Sequence, residues 1–546
     1  MDRLLAAAIG VVLLVRVLTA LPLDATIPGG TDTASHLFKS WTFSQGFSWW
    51  SHDWYCGFNL FSHYPPLFHI LVATFTGLLG HILAYKFVID AVYVLTPLAF
   101  LVLLRRLGLS ATQQAAGLLV FSLLPVHAYY LYDGRHPAML AMAFIILYAA
   151  AALSKHKAAL PAAGLFLGLA ILSHHLTAAF GFAVTLPLLW QNRRKVVTAT
   201  FIGLLVAAVW LLPFVLESAY KPASQGLIGG RPLEVAAEIV GASYLSTLAN
   251  PWAQPFVILE LLLLSGALLS ILWPPSAALT AIKSRAAAFA SLAVVGAIYM
   301  LISYKRVLLL AVIPVALLLA YQASGRRWRW LVFAAIALMI VPITHPLTVV
   351  APQLPDSGLA GRTLFLGALP GAGYMEAYLL PISGHPYALG WHPESQTTSK
   401  SLFNAAIAAP EKFNDTAYAD LLRRGWIGTV LVPVNSSLYE RFSSSATFRL
   451  LNSSDGITAF TPIPAPSFLD LDGRPVVADV KFGFDLLTAD FACSPGLLTI
   501  KESWSPAAEL SLNGQTLVSA ENNDGFVQAR INQTGQCRIE MRWNWV

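Results

Sequence analysis

The sequence predicts a polytopic α-helical membrane protein with about 11–13 transmembrane helices, followed by an external C-terminal domain that combines an α/β region with a β-sandwich. Hydrophobic residues make up 56% of the 546 residues and charged residues only 11%, a composition that excludes an ordinary soluble enzyme. Near residue 350, long apolar runs give way to short alternating segments rich in Ser, Asn, Asp and Gly. We therefore divide the chain into a transmembrane domain at 1–348, an external α/β region at 349–470 and an external β-sandwich at 471–546.

The first apolar run, 4–22, has no convincing cleavage site, so we interpret it as an uncleaved span that begins in the cytoplasm. A cytoplasmic start and an external C-terminal domain require an odd number of spans. Twelve apolar runs are present, which leaves open a re-entrant, fused or unrecognised segment. The runs after the first are 64–82, 86–104, 111–130, 137–153, 158–173, 175–190, 196–216, 253–273, 286–303, 306–322 and 330–346.

Basic residues cluster at every second break between these runs, as is typical of cytoplasmic loops. The pair Arg105-Arg106 departs from the pattern, because strict alternation places it outside. The formal net charge of +6 comes from short clusters and not from one continuous face, so no nucleic-acid partner is indicated. The clusters lie at 155–157, 193–195, 283–285 and 326–329.

The predicted external domain shows sequence patterns of secondary structure, of a possible disulfide and of glycosylation. Residues 419–434 (ADLLRRGWIGTVLVPV) predict a helix followed by a buried strand, and residues 476–546 alternate in the manner of a jelly-roll or immunoglobulin-type sandwich. Cys493 and Cys537 either form a disulfide here or remain two separate buried thiols. The Asn-x-Ser/Thr sequons support an external location, and they lie at Asn414, Asn435, Asn452 and Asn532.

The loop at 23–65 lies between the first two apolar runs and is the predicted catalytic loop. A helix is expected to begin directly after Asp32, with Leu37 and Trp41 near one face and Lys39 pointing elsewhere. Such an amphipathic helix would lie flat at the lipid headgroups, with its Trp residues in the interfacial belt. Asp32 is the candidate catalytic residue, either a general base or an orienting carboxylate for an acceptor hydroxyl or amine. The same residue also suits a helix N-cap.

Further polar residues of this loop are candidates for substrate binding. His36 falls one turn after Asp32, and these two residues with His52 form a candidate site for a divalent metal; the cofactor is otherwise unknown. Asp53 suits a sugar hydroxyl or a metal, with a solvated loop carboxylate as the alternative. His63 precedes two prolines at the entry of the second span, where a proline-started helix is the alternative to substrate contact.

Ionisable residues at membrane depth are costly, on the order of a few kcal/mol each, and therefore indicate function. Arginine and lysine suit phosphate groups, and a histidine pair at a helix break is typical of a pocket lining. Plain external loops and headgroup snorkelling are the structural alternatives. The substrate-binding candidates of this kind are Arg135, His136, His174, His175, Lys305 and Arg306.

Trp391, His392 and Glu394 in the external domain are candidate contacts to an acceptor or sugar, although a loop packed on the membrane domain would have the same composition. The sequence contains no GxxxxGK[ST], no GxGxxG after a strand and no HExxH. These absences argue against a nucleotide-driven pump, a dehydrogenase and a zinc protease.

Four segments, in this order, resemble the C-type glycosyltransferases (GT-C), and within these the archaeal and bacterial membrane proteins grouped as 6-pyruvoyl-tetrahydropterin-synthase-related. The segments are GGTDTASHLFK at 29–39, HYPPL at 63–67, LSHHLTA at 172–178 and SYKR at 303–306. The terminal ESWSP, LSLNG and QCRIEMRW segments resemble the β-domain of related YfhO-like membrane proteins.

The resemblance implies a multi-pass cell-membrane enzyme, with its C-terminal domain outside the cell. The enzyme would transfer a hexosyl or pentosyl group, with inversion, from a polyprenyl-phosphate carrier to a glycan, lipid or protein acceptor. By position, Asp32 would be the base, while Arg135, Lys305 and Arg306 would neutralise the donor phosphate. No WWDYG-like motif occurs in the external domain, which disfavours transfer of a large oligosaccharide to Asn.

Two other functional classes remain open. A lipid or polysaccharide transporter would explain ionisable residues inside the membrane, but it predicts inverted repeats, which the sequence does not show. A non-catalytic cell-envelope assembly protein would explain the large external domain, and it has no need for Asp32.

Overall fold

The computed structural model describes most of the chain. The described residues are 3–24, 26–30, 32–46, 50–55, 57–60, 64–123, 127, 130–131, 134–218, 279–302, 308–323, 348–349, 354–355, 361–366, 375–383, 386–389, 398–483, 485–505 and 508–543. Two of the predicted apolar runs, 253–273 and 330–346, lie outside these residues.

Helices build the apolar part of the protein. Among the described residues, His81–Arg106, His136–Leu153 and His175–Val215 are long and apolar enough to cross a membrane, and four shorter apolar helices accompany them. The apolar runs predicted within the described ranges thus fold as helices. Together with α2 of the N-terminal loop, the helices of this part are, in chain order, α1 (Arg3–Leu18), α2 (Thr33–Gln45), α3 (Leu67–Leu79), α4 (His81–Arg106), α5 (Ala111–Leu123), α6 (His136–Leu153), α7 (Ala159–Ser173), α8 (His175–Leu189), α9 (Arg193–Ser218), α10 (Leu279–Ile302) and α11 (Leu308–Gln322).

Small residues allow α7 to pack closely on α9. A Cβ atom on Gly164 would lie 2.5 Å from Ile202, and one on Gly168 would lie 2.6 Å from Val206. Glycines four residues apart are typical of close helix packing in membranes, where the approach of two backbones maximises van der Waals contact. At one end of this pair, Lys195 Nζ donates a hydrogen bond to the carbonyl of Ser154 at 2.9 Å. The predicted cytoplasmic loops around 155–157 and 193–195 therefore lie next to each other.

The α/β region contains a four-stranded sheet in the order β5-β6-β8-β7, in which β5 and β6 are parallel and the other pairs antiparallel. The predicted helix and buried strand at 419–434 are present as α14 and β6. Its helices are α12 (Glu376–Ile382), α13 (Thr398–Ile407), α14 (Asp415–Arg424) and α15 (Ser437–Ser443). Its strands are β5 (Arg362–Phe365), β6 (Ile427–Pro433), β7 (Phe448–Ser454) and β8 (Ile457–Pro462).

The predicted β-sandwich consists of two five-stranded antiparallel sheets, ordered β10-β9-β13-β17-β16 and β11-β12-β18-β14-β15. Leu498 and Ile500 of one sheet share a buried core with Leu487 and Ile539 of the other. Its strands are β9 (Leu469–Leu471), β10 (Arg474–Val476), β11 (Ala478–Gly483), β12 (Leu486–Cys493), β13 (Gly496–Ser503), β14 (Ala508–Leu512), β15 (Gln515–Leu517), β16 (Ser519–Glu521), β17 (Phe526–Ile531) and β18 (Gly535–Trp543).

A disulfide joins Cys493 and Cys537, so the paired alternative of the two left open by the sequence is the one observed. The two cysteines lie on the adjacent strands β12 and β18. The disulfide therefore crosslinks two neighbouring inner strands of one sheet, near one end of the pair.

Short strands tie the N-terminal loop to later parts of the chain. β1 (Ile27–Pro28) pairs with β4 (Thr348–Val349), and β2 (Trp50–Ser51) pairs with β3 (Phe58–Asn59). The backbone just before Asp32 is therefore anchored to the segment that leads into the external domain.

Candidate active site

Asp32 immediately precedes α2, as predicted, but its side chain makes no capping hydrogen bond. The helix start is held instead by Thr33, whose Oγ1 donates to the carbonyl of Gly29 at 2.8 Å, and by the amide of His36, which donates to the carbonyl of Asp32 at 3.2 Å. The carboxylate lies close enough to Tyr85 to interact with it electrostatically. Asp32 is thus not used as an N-cap through its side chain.

Gly134 lies directly on this helix start. Its φ is +83°, and a Cβ atom at this position would lie 2.5 Å from Thr33 Oγ1 and 2.6 Å from the Thr33 amide nitrogen. The left-handed backbone favours glycine here, and the close approach leaves no room for a larger side chain. The contact carries the neighbouring residues Arg135 and His136 to the Asp32 end of α2, as the site prediction requires.

Three buried histidines lie close together on α2, α3 and the start of α6, and we call them the histidine cluster: His36, His69 and His136. The His36 ring centroid lies 5.4 Å from that of His69 and 6.5 Å from that of His136. The aromatic ring of Tyr64 lies 5.2 Å from His36. His36 and His136 were predicted; His69 was missed, although a histidine inside the apolar run 64–82 was a visible signal.

Hydrogen bonds fix two rings of the histidine cluster. His136 Nε2 lies 2.8 Å from the carbonyl oxygen of Leu131, which can only accept, so Nε2 carries a proton. In the neutral ring, Nδ1 then accepts from the Tyr85 hydroxyl at 2.8 Å. His69 Nδ1 lies 3.1 Å from Ser40 Oγ. Tyr85 was also missed, because one tyrosine in an apolar helix carries no signal of its own.

Lys39 belongs to the site, contrary to the expectation that it points elsewhere. Its side chain is fully buried, and Nζ lies 4.2 Å from the centroid of the Tyr64 ring, a cation–π contact. A cation therefore lies beside the histidine cluster. The helical wheel failed here because α2 is covered on nearly every side.

The neighbouring residues His174 and His175 contact different parts of the helical region. His174 caps α8, its Nδ1 accepting from the amide of Thr177 at 3.1 Å, and its ring lies 5.7 Å from Tyr64 beside the histidine cluster. His175 lies against α9, with its ring 5.4 Å from Trp210 and 5.5 Å from Phe214. His174 is therefore the residue of the pair that contacts Tyr64, and the two imidazole rings lie 6.0 Å apart.

The helix α2 does not lie flat at a membrane surface. Ten of its residues are buried, on all sides of the helix, by packing against α3, α4 and α12. Phe38 stacks on Trp54 at 4.1 Å between ring centroids, and Trp54 Nε1 donates to the carbonyl of Ala377 at 2.7 Å. The expected interfacial Trp belt is wrong for Trp50 and Trp54, because the external domain covers both.

Asp53 and His52 lie in a second group of contacts, against the external domain. The carbonyl of Asp53 accepts from the amide of Tyr387 at 2.7 Å, and burial raises the pKa of the Asp53 carboxyl. His52 Nδ1 bonds to Glu502 Oε1 at 2.8 Å.

The predicted metal site of Asp32, His36 and His52 does not form. His52 is bound to the external domain through Glu502, while His36 lies in the histidine cluster. Within the described ranges, no group of three or more His, Cys, Asp or Glu side chains is arranged to hold a metal ion.

The remaining predicted site residues lie outside the described residues. They are His63, Lys305, Arg306, Trp391, His392 and Glu394. Their proposed roles stay predictions.

The comparison with known proteins addresses the resemblance noted in the sequence. Residues 61–224 match the family described as 6-pyruvoyl-tetrahydropterin synthase related domain, a membrane protein. The predicted resemblance is confirmed over this stretch, and the protein is a multi-pass membrane protein. No curated protein sequence matches the chain.

Two solved structures are similar over most of the chain. The mycobacterial arabinofuranosyltransferase AftD has a TM-score of 0.59 at 12% identity, over 100% of this chain and 57% of AftD. ArnT from Cupriavidus metallidurans, bound to undecaprenyl phosphate, has a TM-score of 0.50 at 12% identity, over 84% of this chain and 98% of ArnT. This chain therefore spans little more than half the length of AftD. The likeness confirms the predicted GT-C-like fold.

Proposed function

We propose that the protein is an inverting glycosyltransferase that takes a sugar from a polyprenyl-phosphate donor at the external face of the membrane. The observation that carries this proposal is the position of Asp32: a carboxylate directly before the buried helix α2, at the end of that helix where Gly134 brings in Arg135 and His136. The fold is shared with AftD, named as an arabinofuranosyltransferase, and with ArnT, which was solved with undecaprenyl phosphate.

In the proposed reaction, Asp32 accepts the proton of the acceptor hydroxyl or amine while the acceptor atom attacks the anomeric carbon of the donor. The bond between that carbon and the phosphate oxygen breaks, and its electron pair leaves with the polyprenyl phosphate. Attack opposite the leaving group inverts the anomeric centre. The protein's task is to orient the acceptor and to hold the charge that develops on the phosphate.

Basic residues are proposed to stabilise the negative charge that develops on the donor phosphate. Arg135 lies next to Gly134, which contacts the Asp32 end of α2, and Lys39 is buried in the same region. We assign Arg135, with Lys305 and Arg306, to the donor phosphate, as the sequence predicts. Lys39 is a further candidate for this role. Arginine offers two parallel hydrogen bonds to a phosphate, and lysine offers a compact charge.

The experiment is sugar transfer by the purified full-length protein in lipid nanodiscs, supplied with a panel of short polyprenyl-phosphate hexoses and pentoses. The expected result is a glycosylated acceptor whose anomeric configuration is opposite to that of the donor. Retention of configuration would contradict the direct displacement by way of Asp32. Failure with every donor, combined with passage of the intact lipid-linked sugar across the bilayer, would instead establish the transporter alternative.

A further inference from the structure

A buried carboxylate of the β-sandwich, Glu502 on β13, reaches into the catalytic loop. Its side chain is fully buried. Oε1 accepts from Trp50 Nε1 at 2.9 Å and from His52 Nδ1 at 2.8 Å, both on the N-terminal loop. Oε2 accepts from the Arg362 guanidinium at 2.6 Å. A carboxylate can only accept, so His52 carries its proton on Nδ1.

The loop encloses this carboxylate closely. Gly57 has a φ of +108°, and a Cβ atom there would overlap the Glu502 carboxylate. Trp50 stacks on Trp543 at 4.6 Å, and its backbone amide donates to Asp485 at 3.1 Å. Ser503, the next residue after Glu502, donates from Oγ to the carbonyl of Tyr55 at 3.0 Å. These bonds join residues more than 400 positions apart in the chain.

From this loop a short chain of contacts leads to the candidate active site. Trp54 follows His52 by two residues and stacks on Phe38 at 4.1 Å between ring centroids. Phe38 lies on α2, which begins at Thr33 directly after Asp32 and carries His36. The stacking of Trp54 on Phe38 therefore couples the position of the loop to the position of α2.

We propose that Glu502 is a positioning residue for the transfer reaction: it clamps residues 50–55 and Gly57 to the β-sandwich and thereby holds α2 with Asp32 in place. Burying a carboxylate is costly unless it is paired and hydrogen-bonded, and here three donors from two separate parts of the chain satisfy it. Loss of any one donor weakens the attachment of the loop. The link to transfer rests on the proposed function, whereas the clamp itself does not.

Loop-side variants test the clamp without breaking the ion pair of Arg362 and Glu502. His52→Phe keeps an aromatic ring against Trp543 and Phe482 but removes the donor to Glu502. His52→Asn loses the ring but places an amide nitrogen near the position of Nδ1. If His52 acts through its hydrogen bond, His52→Phe should loosen the loop more than His52→Asn does. If His52 acts through packing, His52→Asn should loosen it more. The control Asp479→Asn changes an exposed carboxylate of the same sandwich, which pairs with Lys481 at 3.3 Å.

The measurement is hydrogen–deuterium exchange of the full-length protein in nanodiscs. For His52→Phe we expect amide exchange in 50–57 and 33–45 to accelerate about tenfold, the equivalent of one lost charge-assisted bond. His52→Asn and the control should exchange at wild-type rates, and protection of β12 and β18 in every variant shows that the sandwich is folded. Wild-type exchange in His52→Phe, or the faster exchange in His52→Asn, would overturn the clamp whether or not the protein transfers sugar.

Transfer kinetics test the second half of the proposal. His52→Phe should lower kcat about tenfold and leave the KM for the donor unchanged, with rescue by His52→Asn. An unchanged kcat in a variant with faster exchange would overturn the positioning role. A wild type that exchanges as expected but transfers no sugar from any donor would refute the proposed function, and with it the link to transfer, and leave the clamp standing.

Discussion

The Tyr85 hydroxyl is positioned to set the orientation of His136. One nitrogen of this ring is committed to the carbonyl of Leu131, and the other accepts from Tyr85 at 2.8 Å. Asp32 lies within electrostatic reach of the same tyrosine. Tyr85 thus belongs to the hydrogen-bonded surroundings of the histidine cluster.

Replacing Tyr85 by Phe should destabilise the protein by about 1 kcal/mol and lower transfer about fivefold, because a buried ring nitrogen loses its partner. Thermal unfolding in detergent and the initial rate of transfer measure the two effects. Tyr148→Phe is the matched control, since its buried hydroxyl has no hydrogen-bond partner among the residues that the structure describes. Equal losses in the two variants would contradict the role given to Tyr85.

The pKa of Asp53 gives the loop a pH dependence. Because burial raises this pKa above its ordinary value of 3.8, the folded loop binds the proton more tightly than the unfolded loop does. The stabilisation is fully present below an ordinary carboxyl pKa of about 3.9 and is lost as the pH rises through the folded pKa. Proteolysis within the loop should therefore become faster over that window, and Asp53→Asn should remove the dependence. A wild-type loop whose proteolysis does not change across this window would contradict the assignment.

Single-residue patterns predicted some residues of the candidate site. Asp32, His36 and His136 were predicted because a carboxylate after two glycines and histidines beside apolar runs are conspicuous. His69, Tyr85 and Lys39 were missed as site residues, because their role depends on neighbours from other helices. The same limit explains His52, whose partner Glu502 lies 450 positions away in the sequence.

Among the elements, α2 is the one whose surroundings determine the site. Its start after Asp32 was predictable from local sequence, whereas its burial was not, because α12 covers it from a distant part of the chain. The segment around Gly134 similarly reaches α2 from the entry of α6. Local patterns predict where a helix begins, but they do not reveal which distant element packs on it.

Gly134→Ala tests the contact between these two elements. Ala at a positive φ costs about 1–2 kcal/mol wherever it occurs. Gly108 also has a positive φ of +73° but has nothing within 4 Å of an added Cβ, so Gly108→Ala reports the backbone cost alone. Gly134→Ala should add a steric displacement of the Asp32 end of α2 and reduce transfer at least about tenfold. Equal transfer rates in the two variants would show that the contact is not needed.

Across the whole molecule, the helical part and the sheet-rich part were both predicted from composition and periodicity. The antiparallel sandwich follows from alternation and turn signals, and the disulfide between β12 and β18 settles an alternative that spacing left open. The attachment of the sandwich to the N-terminal loop was not predictable, because Trp50, His52 and Glu502 carry no pairing signal in the sequence.

The proposed function also implies one orientation of the protein across the membrane. The proposed function requires the sandwich to be outside and the loops near Ser154 and Lys195 to be inside. Single cysteines introduced at the exposed positions Lys157 and Asn452 should react with a membrane-impermeant maleimide from opposite sides, Asn452→Cys in intact cells and Lys157→Cys only after permeabilisation. The wild-type protein provides the background. Labelling of both positions in intact cells would contradict this orientation.

The role of Asp32 is tested most directly by comparing wild type with Asp32→Asn in the reconstituted transfer reaction, while donor binding is measured separately. The account predicts that transfer falls by at least about a thousandfold, since the proton acceptor is lost, while the donor still binds. Asp479→Asn, which changes an exposed carboxylate of the β-sandwich, should retain transfer. Undiminished transfer by Asp32→Asn would contradict the central claim and reduce Asp32 to a structural residue at the start of α2.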